Sequence, residues 1–375
     1  MQTLRGLVAT ATLGAILMLA PAVMRARSDW TVVMHGLDNP RGLTFEWLGD
    51  DDDGRSDGHW DDTDGWALFV AEAGTGGTSP CAMVRGSLQC AGRTGAVSRY
   101  YRGRQRRIVR GLPSYAPASG IGATGPHDVS YAWGSGYVTV GLGGPLSPVE
   151  MRSLFGEEFG WIVKFQDNGR WSFDTDVASY EQESNPAGGP IDSNPYGLLE
   201  GAGRGIVVDA GGNSLLQVSS LRHVSTIAVF PSRAQGRATD AVSNSVALGP
   251  DGAYYVGELT GVPFVPETAN LWRVVPGEEP QVYCTGFNFI LDLDFDRRGN
   301  LYVLEHTSAP FPQGDGTLYR VSRDCSRRPV ATGLTNPTSV TIGPDGDAYI
   351  SNFGTSPDVG EVIRVGLRSR GGRDR

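Results

Sequence analysis

The sequence predicts an all-β chain, a six-bladed β-propeller of four-stranded antiparallel blades whose ring is closed by the N-terminal strand. Three observations carry this. Between Phe287 and Pro337 four short runs alternate apolar and polar residues, Ile290–Phe295, Leu301–Glu305, Thr317–Val321 and Pro329–Thr332, and Gly, Asp, Asn and Pro turns separate them. Period-two alternation between such turns marks half-buried antiparallel strands. The unit then repeats. Gly252, Gly299 and Gly346 stand 47 residues apart, as do Glu258, Glu305 and Asn352, and the triplet apolar-Arg-Val recurs as Trp272-Arg273-Val274, Tyr319-Arg320-Val321 and Ile363-Arg364-Val365. A period of roughly 40–50 residues with four strands per unit is that of a propeller. Finally, the last unit, Thr335–Leu367, holds only three strand runs. Ser28–Leu37, by contrast, reads like the closing strands Arg107–Leu112, Gln281–Phe287 and Pro329–Leu334. The N-terminal segment therefore supplies the missing outer strand, which leaves no blade edge unpaired.

Taken in order, residues 1–27 read as a secretory signal peptide, with Arg5 as the positive region, Gly6–Leu19 as the apolar region and Ala20-Pro21-Ala22 as a cleavage site. Residues 28–367 form the propeller and 368–375 a disordered basic tail. Six units start at Asn39, Gly125, Asn194, Ser243, Phe287 and Thr335. The first hairpin is interrupted by the acidic run Asp50–Gly65, which fails the spacing of a calcium loop at each of its glycines and reads as a solvated loop. In the third unit Val218 is expected at the end of the second strand, as Val140 is in the second unit.

The formal charge of −9, from 32 basic and 41 acidic residues, argues against nucleic acid as a partner. No segment after the signal peptide is long and apolar enough to span a membrane, so an exported, soluble monomer is expected. Lys164 is the sole lysine, which excludes mechanisms needing a lysine elsewhere. Cys81, Cys90, Cys284 and Cys325 suit an oxidising compartment and allow three pairings. Strand positions favour Cys81–Cys90, closing a small loop, and Cys284–Cys325, joining neighbouring blades.

In a blade the end of the second strand meets the start of the first on one face, near the axis. That face gathers Glu72, Glu258, Glu305 and Asn352 from second strands and Asn39, His127, Asp128, Asn194, Asn244, Asn288 and Asn336 from first-strand starts. Long Gly/Pro-rich loops follow the second strands there, and scaffolded loops are where binding sites concentrate. The candidate ligand-binding face is thus Glu72, His127, Asp128, Asn194, Asn244, Glu258, Glu305 and Asn352. Carboxylate and amide oxygens suit a hard cation, so Glu72, Glu258, Glu305 and Asn352 are candidate calcium ligands. The competing and favoured reading pairs each Glu with a neighbouring Arg or a backbone amide. His127-Asp128 offers a general acid/base pair, against the plainer role of capping a strand start. His306 should point away from Glu305. No H-E-x-x-H motif or phosphate loop occurs.

Several stretches together, GLDNPRGL (Gly36–Leu43), LFVAEAGTGG (Leu68–Gly77), GPHDVSY (Gly125–Tyr131), NPYGL (Asn194–Leu198) and GELTGVPF (Gly257–Phe264), resemble the ScyD/ScyE family of exported proteins associated with scytonemin biosynthesis. The resemblance spans nearly the whole mature chain and implies export, but no catalytic residues. The unit pattern NPxG followed by DG-x-hYV is also similar to NHL-repeat propellers. The Glu/Asn ring is similar to that of calcium-dependent lactonase-type propellers, without a complete ligand set. The expected function is a secreted binding or scaffold protein, its ligand or partner held on the loop-rich face around the channel. The alternative is a calcium-dependent lactonase-like hydrolase. A quinone-dependent sugar dehydrogenase using His127 is a third reading.

Overall fold

A computed structural model describes residues 30–49, 65–132, 134–201, 204–235, 237–307 and 314–367. The expected signal peptide, the acidic run at 50–64 and the C-terminal tail lie outside the described residues. Six antiparallel sheets form six blades. Blade one runs through Pro40–Trp47, Trp66–Glu72, Ser87–Tyr101 and Arg104–Ala116, with Cys81–Val84 paired onto the long third strand. Blade two comprises Pro126–Ala132, Ser135–Val140, Trp161–Phe165 and Trp171–Asp176, and blade three Pro195–Gly201, Arg204–Asp209, Ser214–Ser219 and Val224–Val229. Blade four follows from Ser243–Leu248 to Gln281–Phe287 and blade five from Ile290–Phe295 to Arg327–Leu334. Blade six is Ser339–Ile342, Ala348–Asn352 and Gly360–Val365, completed by Trp30–Leu37 from the other end of the chain.

The 47-residue period has a physical basis at both ends of the strands. Gly252, Gly299 and Gly346 all have φ between 77° and 80°, the left-handed turn conformation that favours glycine. In the recurrent triplet Arg273 bonds Asp251 and Arg364 bonds Asp347, so the third-strand arginine ties itself to the turn between strands one and two. Apolar faces are buried between blades. Phe69 of blade one stacks on Tyr131 of blade two, ring centroids 4.8 Å apart, and Met34 and Leu37 of the closing strand are fully buried.

Both expected disulfides are present. Cys81–Cys90 joins facing residues of a hairpin, and Cys284–Cys325 links the outer strand of blade four to a turn of blade five. Among the described residues no helix is long and apolar enough to cross a membrane. Two helices occur that the sequence reading leaves out. Helix α1, Pro148–Phe155, opens with a capping box between Ser147 and Glu150, and α2, Val177–Ser184, is capped by Asp176. They sit in the long connections of blade two, held together by Arg152 of α1 reaching the Asp176 carboxylate.

One assignment is corrected. The second strand of blade three is Arg204–Asp209, so the residue at its end is Asp209 and not Val218, which lies in the third strand. Asp209-Ala210-Gly211 repeats Glu72-Ala73-Gly74, and the ring of strand-end acids gains a member.

Candidate functional site

In blades one to five the register slips near the start of the inner strand, at Pro40/Leu43, Pro126/Asp128, Pro195/Leu198, Ser243/Ser245 and Ile290/Asp292. Such irregularities re-aim a side chain out of the sheet. The positions they release, Arg41, His127, Tyr196, Asn244 and Leu291, fill the axis together with Thr338, which precedes the inner strand of blade six, and all but Tyr196 are less than a tenth exposed. The next positions, Gly42, Asp128, Gly197, Ser245, Asp292 and Ser339, pack beneath them. A Cβ on Gly42 would lie 1.8 Å from Asp128 Oδ1, which explains the glycine of the NPRG motif. The channel is consequently closed. The space left among these residues is about 10 Å³, room for at most a single water.

Several axial groups are bonded to their surroundings, whereas Arg41 Nε, Asn244 Oδ1 and Ser245 Oγ are buried without a hydrogen-bond partner. His127 Nδ1 faces the Pro195 carbonyl at 3.3 Å and its ring packs 4.4 Å from Tyr196, while Asn244 donates to the Leu291 carbonyl. Burial, with Arg41 adding, pushes His127 down to about 3, so the imidazole is neutral and its Nδ1 carries the proton it donates to Pro195. Asp128 accepts from Val129 N and Leu198 N, and Asp292 from Leu293 N, Val340 N and the Ser339 hydroxyl. Burial first, and then Asp292, pushes the Asp128 carboxyl well up, and burial pushes Asp292 to about 7. His127 and Asp128 thus turn to different neighbours and do not pair with each other. His306 turns to the Pro337 carbonyl while Glu305 turns to Asn288, the divergence that alternation predicts.

The four candidate calcium ligands are not brought to one point. Glu72, fully buried, receives both Arg107 Nε and Nη2, the Ser98 hydroxyl and Asp38 N. Glu258 receives Asn270 N and the indole N–H of Trp272. Glu305 receives Asn288 N and lies 3.5 Å from Arg327, and Asn352 accepts from Thr335 N while donating to Glu361. Each acts locally, most of them pinning the connection from the preceding blade to the strand end. Among the described residues no group of three or more His, Cys, Asp or Glu side chains is placed to hold a metal ion.

Among the described residues, an open space on the loop-rich face lies off the axis. A cleft of about 900 Å³ runs between blades three and four from the loops that follow the second strands. Gly143–Pro145, Ala210–Asn213 and Leu259–Gly261 border it, with α2 contributing Glu181 and the blade-one hairpin contributing Arg85. Of the eight candidate residues only Asn194 lines it, and His127, Asp128 and Asn244 stay at the axis. Asn194 Oδ1 accepts from Leu142 N.

Sequence reasoning missed Glu181 and Asp209. Glu181 is 1% exposed, and neither carboxyl oxygen has a hydrogen-bond partner. Burial first, then Asp209 and Asp192, pushes it up to about 8, and burial with Asp209 pushes Asp192 to about 7. A signal was available: Val177, Ala178 and Glu181 fall on one face at helical spacing, so the acid belongs to the buried stripe of a helix capped by Asp176.

Neither a family model nor a curated relative matches the chain. Solved structures do. A protein of unknown function from Bacteroides thetaiotaomicron aligns over 90% of this chain and 72% of its own at 8% identity with a TM-score of 0.51. Virginiamycin B lyase from Staphylococcus aureus aligns over 91% and 90% at 12% identity with a TM-score of 0.47, and a gluconolactonase from Xanthomonas campestris over 92% and 99% at 10% with a TM-score of 0.47. At such identities the likeness is one of fold: the chain is a six-bladed propeller.

Proposed function

We propose that this chain is an exported propeller of the ScyD/ScyE type that binds a small polar ligand in the cleft between blades three and four. The observation that carries the reading is the cleft itself, about 900 Å³ on the loop-rich face, with a buried, unpaired Glu181 on its wall. Ligand sites are concavities of roughly 300–1,000 Å³ with a few polar groups set in apolar walls. An unpartnered buried carboxyl costs stability, and groups of that kind are retained where function uses them. The motif order from Gly36 to Phe264 supports the family, and the two disulfides support an extracytoplasmic location.

The axial channel is not the binding site in this reading, because Arg41, His127, Tyr196 and their neighbours fill it. The calcium-dependent hydrolase is not carried forward either, since the oxygens of Glu72, Glu258, Glu305 and Asn352 already serve local partners. Its neighbours among gluconolactonases make it worth one control, hydrolysis of gluconolactone with and without calcium.

Ala187 is exposed on the cleft wall, so Ala187→Trp should fill the cleft without disturbing a core. Equilibrium binding to a panel of small sugars, sugar acids and amines should give ligands that bind wild type and lose at least tenfold in affinity on Ala187→Trp. Ligands insensitive to that change would contradict the placement.

A further inference from the structure

We propose that the cleft takes an organic cation, a ligand bearing a protonated amine or guanidinium with further hydrogen-bond donors, and that Glu181 is its counter-ion. This rests on the ligand-binding reading above and names the class of ligand.

The argument starts from which atoms lack partners. Three side chains lining the cleft hold buried oxygens without hydrogen bonds: both oxygens of Glu181, Oδ1 of Asn185 and the hydroxyl of Thr260. All can accept; the Asn185 oxygen can only accept, and Glu181 accepts through both oxygens once ionised. Asn185 already donates through Nδ2 to the Gly189 carbonyl, so its free oxygen is what remains for a ligand. A ligand that donates satisfies all three, and a cationic donor pairs with Glu181 in its ionised form.

Charge points the same way. Among the described residues, Glu181, Asp192, Asp240 and Glu279 line the cleft against one basic residue, Arg85. Asp209 adds a further carboxyl behind Gly212. Its two oxygens are taken up by Ser193, Asn194, Gly211 and Gly212, so it repels a second anion without itself being free to bind. Burial first, then Asp209 and Asp192, hold Glu181 up near 8, a state that an incoming cation relieves by pairing with the carboxylate.

The apolar part of the wall fits as well. Phe230, Phe264 and Trp272 line the cleft, and aromatic faces attract organic cations once water is excluded. A bare metal ion is the poorer occupant. Among the described residues no three ligating side chains converge, and a hard cation needs six or more oxygens.

The test is calorimetric titration of agmatine, choline and glucosamine, with glucose and gluconate as neutral and anionic comparators, into wild type, Glu181→Gln and Ala187→Trp. The glutamine keeps the shape and removes the charge, and thermal melts establish that both variants fold. At least one cation should bind wild type with a Kd below about 1 mM. Its affinity should fall at least tenfold in both variants. Cation binding unchanged by Glu181→Gln overturns the proposal. Binding of glucose or gluconate that Ala187→Trp abolishes, with no cation bound, overturns the ligand class and leaves the cleft as a binding site. No binding by any of the five overturns both.

Discussion

Glu181 of α2 and Asp209 of blade three press against the same glycine but differ in how they are satisfied. A Cβ on Gly212 would lie 2.6 Å from Glu181 Oε2 and 3.4 Å from Asp209 Cγ. Asp209 accepts from the Ser193 hydroxyl and from the amides of Asn194, Gly211 and Gly212, whereas Glu181 accepts from no group. One acid builds the turn after the second strand of blade three. The other is left facing a cleft.

Replacing Glu181 by an apolar residue of similar length should therefore stabilise the ligand-free protein. Leaving a buried polar group unsatisfied costs roughly 1–3 kcal/mol, and Glu181→Met removes it. Thermal melts at pH 7 should show a higher Tm for the variant. A lower Tm would mean that Glu181 supports the fold through contacts of its own.

The same residue sets a pH dependence. Folded Glu181 keeps its proton to about pH 8, while in the unfolded chain it loses it near the ordinary glutamate value of 4.5. Between those values the folded state binds more protons, so stability falls as pH rises. Asp192 and Asp292, pushed to about 7, and Asp294, pushed to about 6, act in the same sense. The difference in Tm between Glu181→Met and wild type should therefore widen from pH 5 to pH 8. A constant difference would contradict the assignment.

Glu72 presents the opposite case. It is fully buried beneath Arg107, which grips both its oxygens, and the hydrogen bond to Glu72 leads the upward shift of the Arg107 guanidinium. Arg107→Met leaves a buried carboxylate without its cation and should cost about 3 kcal/mol in urea denaturation. Adding Glu72→Gln should recover part of that loss, because the two changes share one interaction.

Much of this fold is legible in the sequence because its units are related by repetition. Gly252, Gly299 and Gly346 mark left-handed turns, and the N-terminal strand is recognisable because the last unit lacks one. The disulfides follow from strand position. The second-strand acid of blade three was within reach too, since Asp209-Ala210-Gly211 echoes Glu72-Ala73-Gly74, but its irregular unit hid the register. The site was not legible. A strand-end carboxylate on the loop-rich face looks the same in sequence whether it faces a ligand or a backbone amide. Here Glu72, Glu258 and Glu305 turn to local donors, and the cleft is built from helix α2 and connecting loops that the 47-residue period does not cover.

Ring closure gives a further expectation. Trp30–Leu37 pairs with Gly360–Val365 and buries Met34 and Leu37 completely. Deleting residues 30–36 should expose the edge of blade six and abolish a cooperative melt. A normal transition in the deleted protein would contradict closure by this strand.

The disulfides should separate by role. Cys284 and Cys325 are 41 residues apart in sequence and Cys81 and Cys90 are 9 apart. By loop length alone, removing the blade-linking bridge should cost roughly 1 kcal/mol more than removing the hairpin bridge. The hairpin bridge closes the arm that carries Arg85 to the cleft, so the Cys81→Ser/Cys90→Ser variant should alter ligand affinity more than global stability, as titration beside urea denaturation would reveal.

The claim that the off-axis cleft is where this propeller binds its ligand is tested most directly by crystals grown with and without the tightest-binding cation of the titrated panel. The account predicts new density between blades three and four, with a donor nitrogen about 2.8 Å from a Glu181 carboxyl oxygen. New density at Asp128 and Asp292 on the axis, with the cleft unchanged, would contradict it.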